Sequence, residues 1–340
     1  MRKKRNPGIL IHLFAGVGIV VGLASLQTLA WGPAGHMTVG SIADGLIAGT
    51  NTAKQVRKIL GTNLRTAAVW ADCAKGVNPK TFKYEGEGKF PECKIYENSD
   101  SEKMMEAFVK RNVGNCISPP DAEVCHKQYH YTDVAIQRNA YMQGKVGTSD
   151  HDIVSAVSAA ISVLLDKGSP QPFQITSKKE AIRVLAHYVG DIHQPLHVAA
   201  VYIDPSGHVV DPDMGVFNPR TETHGGNDLF AGTKKLHGEW DTVTGSFTSE
   251  SPSPAVLMKA RSIPVTAGPI SGWSTIWATE TLLLGKQAFN GITYSSEAAN
   301  GHYKITLPPH YDTFRISTQQ DQVIKAGARL AQILKQIWPE

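Results

Sequence analysis

The chain has 340 residues, 41% of them hydrophobic and 19% charged, which supplies apolar material for a full core and excludes a disordered, collagen-like or coiled-coil chain. Lys and Arg number 34 against 30 Asp and Glu, but Arg2, Lys3, Lys4 and Arg5 stand in a first thirty residues that hold no acid. Beyond Ala30 the charges balance, so no basic stripe remains to grip nucleic acid by charge alone, and any affinity for phosphate must come from a site.

Taken in chain order, the cationic start, the apolar stretch 9–26 and Thr28-Leu29-Ala30 read as an export signal cleaved after Ala30. The competing reading is a membrane anchor, which the Gly and His residues within the stretch disfavour. Apolar residues at helical spacing follow over 36–48 and 51–60. Residues 73–128 read as a loop-like tract that carries all four cysteines, Cys73, Cys93, Cys116 and Cys125. An exported chain is expected to pair them, three connectivities are open, and no short Cys-x-x-Cys spacing suggests a metal site. Ile153, Val157, Ile161 and Leu164 form the next helical stripe, and Ile182, Leu185, Tyr188, Val189 and Ile192 another. A second loop-like tract, 201–235, is rich in Gly, Pro and Asp, and helices are expected over 274–290 and 318–337. With few alternating strand patterns, no repeat and no linker, residues 31–340 are expected to be one all-α domain with long loops around a functional cleft.

The chemistry gathers on the histidines, of which there are thirteen. His187, Asp191, His193 and His197 form H-x-x-x-D-x-H-x-x-x-H, placing His187 and Asp191 one turn apart on a helix face; Pro195 predicts that the helix ends or kinks before His197. A His/Asp row beginning inside an apolar stripe is costly to bury unless it has strong partners, and a metal ion is one. His237 and Asp241 repeat the four-residue spacing, His130 and Asp133 lie in His-Tyr-Thr-Asp, Asp72 follows Trp70-Ala71, and His36 stands five residues after Trp31. Imidazole and carboxylate without thiolate suit catalytic zinc, and the absence of H-E-x-x-H disfavours a metalloprotease of that type.

The ordered motifs Trp31-Gly-x-x-Gly-His36, Trp70-Ala-Asp72, His130-Tyr-Thr-Asp133, His187-Tyr-Val-Gly-Asp191-Ile-His-Gln-Pro-Leu-His197, Gly225-Gly-Asn227 and Leu236-His237-x-x-Trp-Asp241 resemble those of the zinc-dependent nucleases S-one and P-one, the type I nucleases. Weaker similarity runs through Trp277-Ala-Thr-Glu280. The resemblance implies an all-α fold like that of bacterial zinc phospholipase C, and hydrolysis of single-stranded DNA, RNA and 3′-nucleotides to 5′-phosphate products. It implies three zinc ions: one on Asp72, His130, His187 and Asp191, one on His197, His237 and Asp241, and one on His36, Asp191 and the α-amino nitrogen and carbonyl oxygen of Trp31. An α-amine can ligate only after cleavage frees it, so processing would be part of assembling the site.

It further implies that Asp133 orients the attacking water, that Asn227 contacts substrate, and that Lys75 offsets transition-state charge where better-known members carry Arg. The bland alternatives are turn roles for Asp133 and Asn227. His193 is expected to support or pack rather than ligate, and His151, His208, His224, His302 and His310 to be ordinary surface or loop residues. Since Cys73 adjoins Asp72 and Cys125 lies five residues before His130, a shared metal is expected to bring those backbones together, giving Cys73–Cys125 and Cys93–Cys116. The chain is expected to act as a monomer without stable membrane association. A zinc phospholipase C and a non-catalytic exported zinc-binding protein are the competing readings.

Overall fold

The computed structural model describes residues 31–117, 122–244 and 250–340; the expected leader lies outside them. Its helices are α1 (Pro33–Ile47), α2 (Asn51–Leu60), α3 (Leu64–Ala67), α4 (Trp70–Ala74), α5 (Ser99–Asn112), α6 (Cys125–Gln128), α7 (Ile153–Leu164), α8 (Lys178–Asp191), α9 (Leu236–Asp241), α10 (Pro254–Arg261), α11 (Trp273–Phe289) and α12 (Tyr311–Ile337). The chain is mainly helical, as its periodicity predicts. Short strands accompany the helices: β1 (Val134–Ala135) pairs with β2 (Ala199–Ala200), and β3 (Tyr202–Ile203) with β4 (Val209–Val210). A further small sheet has the order β6-β5-β8-β7, from β5 (Leu229–Ala231), β6 (Lys234–Lys235), β7 (Thr293–Glu297) and β8 (Tyr303–Thr306). The tract 201–235 is therefore partly strand, in runs too short to show alternation.

Helix α8 is the axis of the core: every residue from Glu180 to Asp191 is buried. Its start is set by Ser177, whose hydroxyl accepts from the Glu180 backbone N–H at 3.1 Å, satisfying one of the first-turn donors. Its end is set three residues before Pro195, where the chain turns into a 3₁₀ segment, Pro195–His197, that Pro opens because it has no N–H to donate. Helix α7 packs on α8, and α1, α2, α3, α4 and α12 also touch it. Asp152 caps α7 through the backbone N–H groups of Val154 and Ser155, both at 3.1 Å.

Two expectations are corrected. The tract 73–128 contains α5, capped by Asn98, with Met105, Phe108, Val109 and Asn112 on its buried face; this three-four spacing is present in the sequence, amid a highly charged stretch. The disulfides are Cys73–Cys93 and Cys116–Cys125, not Cys73–Cys125 and Cys93–Cys116. Asp72 and His130 do meet, but Cys73 follows Asp72 on a helical turn and so points about 100° away from it. There it meets Cys93 on the 3₁₀ segment Pro91–Tyr96, at a Cα separation of 5.6 Å. Among the described residues no helix is long and apolar enough to cross a membrane.

Close packing of α1 against α12 depends on Gly327, where an added Cβ would lie 2.6 and 2.7 Å from Ile42 side-chain atoms and 3.0 Å from the Val39 carbonyl oxygen. Gly327→Ala should destabilise the protein by about 1–3 kcal/mol, the usual cost of overpacking a core, despite the higher helix propensity of Ala. Denaturant unfolding checks it.

Candidate metal centre

Helix α8 delivers His187 and Asp191 to one end of the core, both with no exposed surface. Helix α1 brings His36, α4 brings Asp72, the turn after α6 brings His130, the 3₁₀ segment brings His197 and α9 brings His237 and Asp241. All are buried. Their donor atoms form three groups, each within 4.8 Å: His36, His187 and Asp191; Asp72, His130 and His187; and His197, His237 and Asp241. Asp191 faces two ways, its Oδ1 lying 3.1 Å from His36 Nε2 and its Oδ2 3.1 Å from His130 Nδ1 and 3.2 Å from His187 Nε2. A carboxylate with one oxygen on each side is arranged as a bridge.

The backbone fixes which ring nitrogens are available. The Nδ1–H of His187 donates to the Ala68 carbonyl at 2.6 Å, that of His197 to the His130 carbonyl at 2.8 Å, and that of His237 to the Gly225 carbonyl at 2.8 Å; these partners assign the tautomers. The Nε2 atoms of His197 and His237 then stand 3.1 Å apart and lie 3.7 and 3.5 Å from the two Asp241 carboxylate oxygens, so the three residues aim their donor atoms at one place. His187 Nε2 and His130 Nδ1 meet at the same distance, and the His36 ring stacks on that of His187 at 3.7 Å. Such a cluster fits resident metal ions, with backbone carbonyls orienting the ligands from behind.

The electrostatics agree. Burial pushes the Asp191 carboxyl up, but His187, His36 and His197 outweigh it and hold it well below the usual carboxylate range. Burial pushes His36 and His130 down, toward the neutral form a metal requires, whereas the carboxylates outweigh burial at His187 and His197 and raise them, so a bound cation there would take the place of a proton. The glycine pair serves geometry: Gly225 has φ +57°, and a Cβ there would sit 2.3 Å from the Leu196 carbonyl oxygen and 3.3 Å from His237 Nδ1. Only glycine lets that backbone reach the back of His237.

Trp31 is fully buried, and its indole N–H donates to the Gly190 carbonyl at 2.7 Å, which seats it next to Asp191. Lys75 places its ammonium 2.8 Å from Asp72 Oδ1; burial would lower its pKa, but Asp72 and Asp191 raise it and keep the charge. Asp133 is buried, and its carboxyl is pushed up to about 8 by burial and by a hydrogen bond to Glu222. Asn227 is half-buried and donates from Nδ2 to the His224 carbonyl at 3.0 Å, a turn contact.

His193 turns away from the cluster. Its Nδ1–H donates to Val189, and its Nε2 accepts from Arg329 at 3.0 Å; Arg329 also binds Glu280 and lies over Trp277. The Trp277-Ala-Thr-Glu280 motif is thus packing behind α8. His151 is buried between Asp150 and Gln128 rather than on the surface. Three site residues escaped sequence reasoning. Gln194, inside the His187–His197 motif, donates from Nε2 to Asp241 Oδ1 at 2.7 Å. Glu222 carries no motif signal at all. His126 is buried, and burial with Lys127 and Lys75 pushes its ring down to about 3.

A helical core closed over buried His/Asp groups is the frame of a metallohydrolase. Comparison with known proteins is specific: the S1/P1 nuclease family model matches residues 31–339, and the chain belongs to that family. Nuclease S1 of Aspergillus oryzae is 28% identical over 226 residues, covering 65% of this chain and 56% of that protein; the chain thus spans little more than half the length of this curated relative.

Gln194→Ala removes the donor that orients Asp241. Metal affinity at the His197, His237 and Asp241 group should fall about 10–100-fold, the usual loss for such supporting partners, with the fold retained. Zinc titration of the variant beside the unaltered protein measures it.

Proposed function

We propose that this chain is an exported, zinc-dependent phosphoesterase that hydrolyses single-stranded DNA and RNA to products with 5′-phosphates, and 3′-nucleotides to nucleoside and inorganic phosphate. The observation that carries the reading is the set of three buried His/Asp groups, two of them joined through Asp191 and His187, with the Asp133 carboxyl close by. Family membership and the likeness to Nuclease S1 support it. Export is supported by the leader-like first thirty residues and by two disulfides, which persist in oxidising compartments.

Three zinc ions would be held by Asp72, His130, His187 and Asp191, by His197, His237 and Asp241, and by His36, Asp191 and Trp31 with its freed α-amine. Bound there, zinc supplies hydroxide near neutral pH and stabilises a leaving 3′-oxygen. Three dications against Asp72, Asp191 and Asp241 leave the cleft positive, so it attracts phosphate although the chain beyond residue 30 is formally neutral. Asp133 orients the attacking water and accepts its proton. Lys75 serves through charge, both as the partner of Asp72 and toward the phosphate, and Asn227 holds substrate at the rim. Lys75 lacks the planar fork of an arginine, so the two parallel hydrogen bonds that a guanidinium makes to a pair of phosphate oxygens are not available to it.

Asp133→Asn separates proton transfer from metal binding. Turnover should fall roughly 10²–10⁴-fold, the range typical of a general base, with zinc content and unfolding temperature near those of the unaltered protein. The assay uses RNA, single- and double-stranded DNA, 3′-AMP and phosphatidylcholine, with and without chelator. Release of 5′-mononucleotides that chelator abolishes supports the reading; cleavage of phosphatidylcholine alone, or unchanged turnover in the variant, overturns it.

A further inference from the structure

The backbone of Asp133 is clamped on both sides. Its N–H donates to the Gly147 carbonyl at 2.8 Å, and its own carbonyl accepts from the Tyr202 hydroxyl at 2.8 Å. Gly147, at φ +78°, lies so close that a Cβ there would stand 2.0 Å from that carbonyl oxygen. What the clamp leaves free is rotation of the side chain, and a carboxylate meant to orient one water must have that rotation fixed as well.

Glu222 reaches this carboxyl from another segment. Its backbone pairs with Tyr202 as an antiparallel bridge, so the residue that holds the Asp133 carbonyl also holds Glu222. The following residue, Thr223, is fully buried and donates from Oγ1 to the Val201 carbonyl at 2.6 Å. From this anchored position the half-buried Glu222 side chain hydrogen-bonds to the Asp133 carboxyl. Two carboxyl groups can be so placed only with a proton between them. The other charged and titratable groups acting on the pair are His224, which pairs with Asp228 at 2.6 Å, and His197, with Tyr131 and Tyr202 beside them.

We infer that Glu222 is a positioning residue for the reaction, fixing the Asp133 carboxyl by this hydrogen bond so that one oxygen is held and the other is presented to the water. The inference rests on the reading of Asp133 given above. Glu222 acts by holding a hydrogen-bond partner for the Asp133 carboxyl in a fixed place, and a neutral side chain of the same length that can accept or donate should substitute for it.

The test compares Glu222→Ala, Glu222→Leu, Glu222→Gln and Asp133→Asn in the zinc-loaded enzyme, on 3′-AMP and on a single-stranded oligodeoxynucleotide. Glu222→Ala should lower kcat roughly hundredfold, the scale of an ångström-sized misplacement at a reacting group, with KM and zinc content near the starting values. Glu222→Leu, which refills the half-buried space, should lose as much. Glu222→Gln should recover most of kcat, since its amide N–H donates where the shared proton did. Unchanged kcat in Glu222→Ala or Glu222→Leu overturns the inference, as does a Glu222→Gln variant no better than Glu222→Leu, or zinc loss in all three. If Asp133→Asn itself keeps its turnover, the reading of Asp133 has failed, and that result is visible separately from the Glu222 series.

Discussion

Two imidazole nitrogens, both on buried rings beside the Asp241 carboxylate, stand 3.1 Å apart between His197 and His237. Neither ring can turn its N–H inward, because the His130 and Gly225 carbonyls already hold those protons. Without a cation the two nitrogens need a proton between them, and the Asp191 and Asp241 carboxylates raise His197 accordingly, in a region where low polarity strengthens every electrostatic effect. With a cation between them and Asp241 at hand, the same atoms become ligands. The neighbouring groups crowd in a similar manner, His130 Nδ1 and His187 Nε2 lying 3.1 Å apart and both reaching Asp191 Oδ2.

The fold makes such burial feasible. A helix enclosed on all sides would ordinarily be apolar throughout, and α8 is so along most of its length, with the exceptions of its first turn, of Arg183, and of its final His187 and Asp191. Polar groups concentrate at the end where α1, α4, the turn after α6 and α9 converge. Behind this layer lies a second one of carbonyls and side chains that fix orientation: Ala68, Gly225 and the His130 carbonyl for the rings, Gln194 for Asp241. On the far side of α8 the Arg329, Glu280 and His193 network packs against Trp277, keeping His193 neutral and away from the ligands. Two histidines six residues apart in one motif, 187 and 193, thereby do different work because the helix ends between them.

Much of this was legible in the sequence. Long amphipathic stretches such as 153–164 and 182–192 declare themselves by period, and His187 with Asp191 by spacing along one of them. Pro195 announced the break that separates His193 from His197. What stayed hidden was decided by side-chain direction and by distant pairings. Adjacent residues on a helical turn face different ways, so the proximity of Asp72 to His130 did not carry over to Cys73 and Cys125. Helix α5 was obscured because charges surround its four buried residues. Glu222 meets Asp133 through a bridge to Tyr202, a pairing between segments with no periodicity at all. Gln194 lies within a legible motif, yet nothing in its spacing says that it donates to a carboxylate 47 residues away.

The measurement that bears most directly on the cation constraint is anomalous scattering at the zinc edge from crystals of the protein beginning at Trp31, grown without chelator. The account predicts three neighbouring peaks: one among Asp72, His130, His187 and Asp191, one between His197, His237 and Asp241, and one at His36, Asp191 and the Trp31 amine. A map without a peak between His197 and His237, where two ring nitrogens and the Asp241 carboxylate converge, would contradict it.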